Sequence, residues 1–288
     1  MNSIIERAKK AFEVYALDDD PDKVLDIYRT LKERLDENEG PIRRVLELTQ
    51  EKLAYEDIVQ LLSQTTKNIS GYKKTLFSQK INENFTYFAY QVPVGIVAVE
   101  ADNTRDAVES MFSAVTTKNS LILMQDKDNP HRIEKLLEII IGECIVKFNL
   151  DCNLIQILEK DKIDSNLVDV YISKDKQVTK KQPSDIYYLY KEDGFFDQYI
   201  IEEKNKLSSL GKRVQVIDGD PNQVIEVINN NKAFACAIYT QNRKLGYKFI
   251  NLVNSDNVYM NVTLENAKRN ENLDNVYYRK KNIAFEVN

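Results

Sequence analysis

Between residues 93 and 173, short apolar runs alternate with segments of helical period, and that alternation leaves few folds open. Pro93-Val94-Gly95-Ile96-Val97-Ala98-Val99 is a nearly continuous apolar run. Ser120-Leu121-Ile122-Leu123-Met124, Leu154-Ile155-Gln156-Ile157-Leu158 and Asp169-Val170-Tyr171-Ile172-Ser173 are three more. A strand with one wet face alternates apolar and polar residues, whereas a strand covered on both faces has no need to. Helical spacing over 104–115 and 130–147 fills the gaps. Buried strands separated by helices predict a doubly wound parallel sheet.

The flanks differ from this centre. Residues 1–68 read as helices: Ile4, Ile5, Ala8, Ala11, Phe12 and Tyr15 share one face, and Val24, Ile27, Tyr28, Leu31 and Leu35 share another. Asp20-Pro21 is a cap followed by a first-turn proline. Gly40-Pro41 is expected to break the second helix. After 180 a second α/β stretch follows, with strands at 186–190, 214–217, 235–240 and 258–262 and helices at 193–210, 221–229 and 244–252. Residues 283–287 are expected to form an exposed or partner-paired strand, after a polar loop at 266–275. The expected division is 1–72 (helical), 73–180 (nucleotide-type sheet domain), 181–265 (second α/β domain) and 266–288 (loop and strand).

Composition excludes several functions. The 288 residues carry a net charge of −5, with basic clusters no longer than Lys180-Lys181 and Arg279-Lys280-Lys281. The electrostatic term that drives nucleic-acid binding is absent. No run is long enough to span a membrane, and Met1 to Lys10 holds no apolar leader core. The three cysteines, Cys144, Cys152 and Cys236, form neither a CxxC pair nor a metal spacing, so reduced thiols and a cytoplasmic location are expected. The one histidine, His131, follows Asn129-Pro130 and reads as a structural or surface residue. Only 8 residues are glycine, and neither GxGxxG nor GxxxxGK[ST] occurs, so phosphate-cradling loops are missing.

Read in order, the pieces resemble the aldehyde dehydrogenase superfamily, nearest its CoA-acylating and glutamyl-phosphate reductase branches. Glu47-Leu48-Thr49-Gln50 with Tyr55-Glu56-Asp57 and Lys67-Asn68 resembles the N-terminal helices. Gln91-Val92-Pro93-Val94-Gly95-Ile96-Val97-Ala98 is similar to the strand entering the cofactor domain, and Thr117-Lys118-Asn119-Ser120 to the turn that follows. Ala237-Ile238-Tyr239-Thr240 and Val258-Tyr259-Met260-Asn261-Val262 resemble a late reductase region. The resemblance implies a Rossmann-type parallel sheet domain with N-terminal helices and a reduced second α/β domain.

The departures from the family pattern bear on function. The family attacks its substrate with a cysteine thiolate placed just before a strand. The matching residues here are Gln182-Pro183-Ser184, without a cysteine. Ser184 reads as a turn residue with no base beside it. Cys152-Asn153 copies the family's Cys-Asn pair, but at the entry to a cofactor-domain strand, and is the one weak candidate nucleophile. Cys144 and Cys236 read as core. The family's ribose-binding lysine is replaced by Met124, and the acidic loop Glu100-Ala101-Asp102-Asn103 would repel a pyrophosphate. The vestigial cofactor positions are Glu100, Asn103, Met124 and Ser173. The resemblance with these losses implies an inactive binding or scaffold protein, as a homo-oligomer or with a protein partner, with no resident cofactor and no metal. The competing expectations are an NAD(P)-dependent aldehyde or acyl oxidoreductase, and a nucleotide or CoA sensor without turnover.

Overall fold

A computed structural model describes residues 2–17, 20–50, 52–69, 75–80, 85–125, 132–159, 163–164, 167–181, 183–192, 197–267 and 276–286. The helices α1 (Asn2–Leu17), α2 (Pro21–Glu37), α3 (Glu39–Thr49), α4 (Tyr55–Gln64) and α5 (Thr66–Ile69) come first, then strands β1 (Thr75–Lys80) and β2 (Phe85–Pro93). Next are β3 (Ile96–Glu100), α6 (Thr104–Thr116), β4 (Ser120–Gln125), α7 (Arg132–Val146), β5 (Ile155–Glu159), β6 (Val170–Ile172) and β7 (Val178–Lys180). The remainder is β8 (Ser184–Lys191), α8 (Asp197–Ser209), β9 (Arg213–Ile217), α9 (Pro221–Asn231), β10 (Ala233–Tyr239), α10 (Arg243–Leu252), β11 (Asn257–Met260) and β12 (Tyr278–Glu286).

The chain divides into two compact units. The first holds Met1–Tyr72, Pro93–Lys181 and Asn275–Tyr278. Its sheet has the order β5-β4-β3-β6-β7, with β3 to β6 parallel and β7 antiparallel to β6. Alternate residues serve two layers, which explains the unbroken apolar runs. Ile96, Ala98, Ile122 and Met124 pack with Ile5 and Ala8 of α1. Val97, Val99, Leu121 and Leu123 pack with Leu31, Met111, Leu137 and Ile141 from α2, α6 and α7. Each fully buried Val, Leu, Ile or Met among them stabilises the fold by about 1.5–3 kcal/mol.

Local chemistry sets the element ends. The Asp20 carboxylate accepts from the Asp22 N–H at 3.0 Å and Pro21 opens α2. That helix ends at Asn38, whose side-chain amide donates to the Arg34 carbonyl at 2.8 Å, rather than at Gly40-Pro41. Pro41 lies in the first turn of α3, where an N–H has no intrahelical partner to lose. The expected strand over 93–99 is also divided. Gly95 has φ +127°, which separates β2 from β3. Its N–H donates to Asn119 Oδ1 at 2.9 Å, and a side chain there would collide with the Asp169 carboxylate.

The second unit holds Lys73–Val92, Gln182–Asp274 and Arg279–Asn288, with strand order β1-β2-β12-β11-β10-β8-β9. Strands β12, β11, β10, β8 and β9 run parallel. Helix α8 covers one face through Ile200 and Leu207, and α9 and α10 cover the other through Val224, Ile228 and Phe249. Two expectations are corrected. Strands β1 and β2, expected in the nucleotide-type domain, pair in this sheet. The C-terminal strand, expected to be exposed or partner-paired, is interior: it lies between β2 and β11, with Ile283 opposite Val258 and Ala284 opposite Tyr259. Ile283 enters one helix-covered cluster and Ala284 the other, so both faces of β12 are buried. The preceding Lys281 is buried too, with its ammonium donating to the Ile250 and Val253 carbonyls at the end of α10.

A buried carboxylate links two elements of this unit. Glu203 on α8 is 5% exposed. It accepts from the Leu264 N–H at 2.7 Å and from the Tyr239 hydroxyl. Burial outweighs the Leu264 bond and Lys206, and pushes the carboxyl from 4.5 up to about 7.

Two outcomes are expected. Gly95→Ala should cost about 2–3 kcal/mol, read as a lower urea midpoint, because an L side chain is strained at that φ. The folded state holds a proton on Glu203 that the unfolded chain releases. Stability should therefore fall as pH rises from about 4.5 to about 7, by roughly 3 kcal/mol, and level off above. Urea unfolding across that range checks it, and Glu203→Gln should flatten the slope.

Candidate functional site

In an open parallel sheet, ligands bind outside the carboxyl ends of the strands, where the strand order reverses. In the first unit the chain steps from β3 to β4 to β5 in one direction, then returns to place β6 on the other side of β3. The reversal lies between β3 and β6. The structure brings Glu100, Asn103 and Ser173 to this place. Met124 is the register partner of Glu100 on β4.

These side chains are engaged with their neighbours. The Tyr171 hydroxyl on β6 donates to Glu100 Oε1, joining the two strands across the reversal. Burial first, then this carboxylate, pushes the phenol up to about 12. Asn103 caps α6: its Oδ1 accepts from the Asp106 N–H at 2.9 Å and its Nδ2 donates to Asp106 Oδ2 at 3.1 Å. Lys174 stands 3.8 Å from Asp102, and Lys176 stands 3.3 Å from Asp106. Such half-exposed ion pairs are each worth under about 1 kcal/mol. The placement of Glu100, Asp102 and Asp106 matters more, since three carboxylates occupy the mouth. Met124 is buried against Ala8 and Leu158 and offers no polar atom.

The chain beyond β6 decides what the crevice can hold. The Ser173 N–H donates to the Gln177 carbonyl at 3.0 Å, and the Lys176 N–H to the Ser173 carbonyl at 2.8 Å. Ser173 Oγ accepts from the Gln177 N–H at 3.2 Å, and Lys176 takes φ +59°. This tight turn sends the chain back as β7. The hairpin brings no second helix N-terminus to this mouth; that of α6, capped by Asn103 and carrying Asp106 in its first turn, lies there.

Cys152 is elsewhere. It opens a 3-10 turn (Cys152–Leu154) at the amino end of β5, whereas Glu100 and Ser173 lie at carboxyl ends. Strand β5 has five residues, so about 16 Å of sheet separates the two ends. The thiol is exposed, on the rim of an open groove of about 780 Å³ beside α7. Burial pushes the Cys144 and Cys236 thiols up to about 11 and about 12. Ser184 donates its hydroxyl to the Asn231 and Lys232 carbonyls at 2.9 and 3.0 Å, as a strand-entry residue does. His131 and Gln182 lie outside the described residues. Among the described residues no cluster of His, Cys, Asp or Glu could hold a metal, and no helix is long and apolar enough to cross a membrane.

This architecture is that of the aldehyde dehydrogenases. Gamma-glutamyl phosphate reductase from Saccharomyces cerevisiae superposes with a TM-score of 0.52 at 15% identity, over 98% of this chain and 96% of that one. An indole-3-acetaldehyde dehydrogenase gives 0.52 at 13% identity, over 99% and 86%. Glyceraldehyde-3-phosphate dehydrogenase GapN from Methanocaldococcus jannaschii, complexed with NADP, gives 0.50 at 12% identity, over 98% and 93%. No family model and no curated protein matches the sequence. The chain has the aldehyde dehydrogenase fold, in a form shorter than is typical of it.

Sequence reasoning named Glu100 and Ser173 but missed Tyr171, Lys174 and Lys176, which pair with Glu100, Asp102 and Asp106. The available signal was the polar turn Ser173-Lys174-Asp175-Lys176 between two short β-prone pieces. The thiol placement gives a direct check. A thiol-titrating disulfide reagent should modify Cys152 alone in the native protein, and all three cysteines in denaturant.

Proposed function

We propose that this chain uses the aldehyde dehydrogenase fold as a binding or scaffold module without turnover, and that it self-associates. The observation that carries the reading is the crevice between β3 and β6. Its carboxylates are held in place by Tyr171, Lys174 and Lys176, the helix that opens there, α6, carries Asp106 in its first turn, and β6 is followed by a hairpin rather than by a second helix. A carboxylate about 4 Å from a phosphate oxygen costs on the order of 4 kcal/mol at an effective dielectric constant near 20. The residues present therefore do not fit NAD(P), and no hydride step is derived through it. Cys152, at the opposite end of the sheet, is badly placed to serve as a nucleophile for anything bound in that crevice. A cytoplasmic location fits the three free thiols.

The second reading is an NAD(P)-dependent aldehyde or acyl oxidoreductase, or a nucleotide or CoA sensor. It is favoured by the preserved parallel sheet and by the fold shared with an enzyme complexed with NADP. The two readings separate in a thermal-shift titration with NAD, NADP and CoA. A ligand bound only by the folded state raises Tm as its concentration passes Kd. No rise at millimolar concentration is expected for any of the three. A saturable rise with one of them would sink the scaffold reading.

A further inference from the structure

We infer that the outer edge of β9 docks an extended peptide segment of another protein, which joins the second sheet as an antiparallel strand. The inference rests on the binding-module reading above and gives that module a surface and a class of partner.

A sheet edge offers unpaired main-chain donors and acceptors, and folded chains usually block it. The two sheets have four edges, at β5, β7, β1 and β9. At β5 the Glu138 carboxylate accepts the Ile157 N–H. Strand β7 is three residues long and runs into Lys180-Lys181. In β1 the register with β2 shifts between Thr75 and Phe77, and the strand ends on Lys80. Strand β9 has none of these devices. It follows β8 in unbroken register from Arg213 to Ile217, and Val214-Gln215-Val216-Ile217 holds no charge and no proline.

The layers beside this edge are unfinished as well. Val214 packs only partly into the cluster that α8 covers, and Ile217 only partly into the one that α9 covers. Val216 is 37% exposed, and Leu210, which leads into the strand, is 54% exposed. A further strand would set alternate side chains into both layers while its main chain bonds to β9, the mode by which sheets capture extended peptides.

The charges give the segment its direction and composition. Lys212 and Arg213 stand at the start of β9, Asp218 and Asp220 stand just past its end, and all four are exposed. An antiparallel segment brings its first residues to the two aspartates and its last to the two cations. A β-prone segment that begins basic and ends acidic matches both ends, and antiparallel pairing is the more stable kind per residue. A second copy joined edge to edge would also bring its own helices beside α8 and α9, where exposed Asn205, Ser208, Gln223 and Glu226 would lose water. A single extended segment makes the same main-chain bonds without that desolvation.

The probe is a C-terminally amidated peptide, Lys-Lys-Val-Thr-Val-Thr-Val-Glu-Glu, with fluorescein at its amino end. Its binding is read by fluorescence anisotropy, and its place by amide hydrogen exchange of residues 213–217. The expected result is a saturable anisotropy rise, with exchange across 213–217 slowed by the peptide. An analogue N-methylated at its five central residues should not bind. Val216→Lys, a charge of the kind that guards other edges, should weaken binding at least about tenfold. Val216 is partly exposed, so the variant should fold, and the N-methylated control needs no variant. No binding at millimolar peptide, equal binding of the N-methylated analogue, or binding that leaves exchange at 213–217 unchanged overturns the inference. Protection of 213–217 that grows with protein concentration in the absence of peptide assigns the edge to a second copy, and overturns it too. Each of these leaves the binding-module reading standing, because that reading is decided by the cofactor titration.

Discussion

The buried side-chain amide of Asn119 is the interaction on which the first unit depends. It is fully buried in the turn between α6 and β4. It accepts from the Gly95 N–H at 2.9 Å and donates to Thr117 Oγ1 and to the Tyr277 carbonyl, each at 2.8 Å. Three segments far apart in sequence therefore meet at one group. Each bond is worth about 1 kcal/mol net, but stranding a buried partner costs about 1–3 kcal/mol. With Gly95 pinned, β3 and β4 start in register, Ile96 opposite Ser120, and Glu100 ends opposite Met124. The chemistry at the carboxyl end of the sheet is thus fixed by a polar contact at its amino end.

What the crevice can hold follows from a contest of small terms. The Lys174–Asp102 and Lys176–Asp106 pairs are too exposed to contribute much. Tyr171 and Glu100 are partly buried, and their bond joins the two strands that would have to admit a ligand. The sheet keeps the topology that elsewhere opens a ligand crevice at this position, and Glu100, Tyr171 and the turn between β6 and β7 lie beside it.

Much of this was legible in the sequence because burial on two faces leaves an unbroken apolar run. Ser120-Leu121-Ile122-Leu123-Met124 could hardly be anything but an inner strand, and Asp20-Pro21 marked a helix start. The misreadings share a cause. Lys280-Lys281-Asn282 ahead of Ile283 looks like an exposed edge, yet Lys281 spends its charge on the carbonyls ending α10, some thirty residues earlier. Glu203 lies between Glu202 and Lys204 with nothing local to mark it, and only tertiary packing buries it. Strands β6 and β7 are three residues each, too short for a period to register. The Tyr171–Glu100 bond spans 71 positions, beyond any local pattern.

The interior position of β12 has a consequence for how the chain is made. Strands β2 and β11 flank it, and both leave the ribosome before it does. Until residues 278–286 emerge, the second sheet exists only as a hairpin on one side and a four-stranded parallel piece on the other. Each presents an unpaired edge, and that of β11 is flanked by Val258, Tyr259 and Met260. Unpaired edges of this kind recruit other chains. Strand β12 is thus the one that closes the gap, and the nascent chain carries these two unpaired edges until residues 278–286 have left the ribosome.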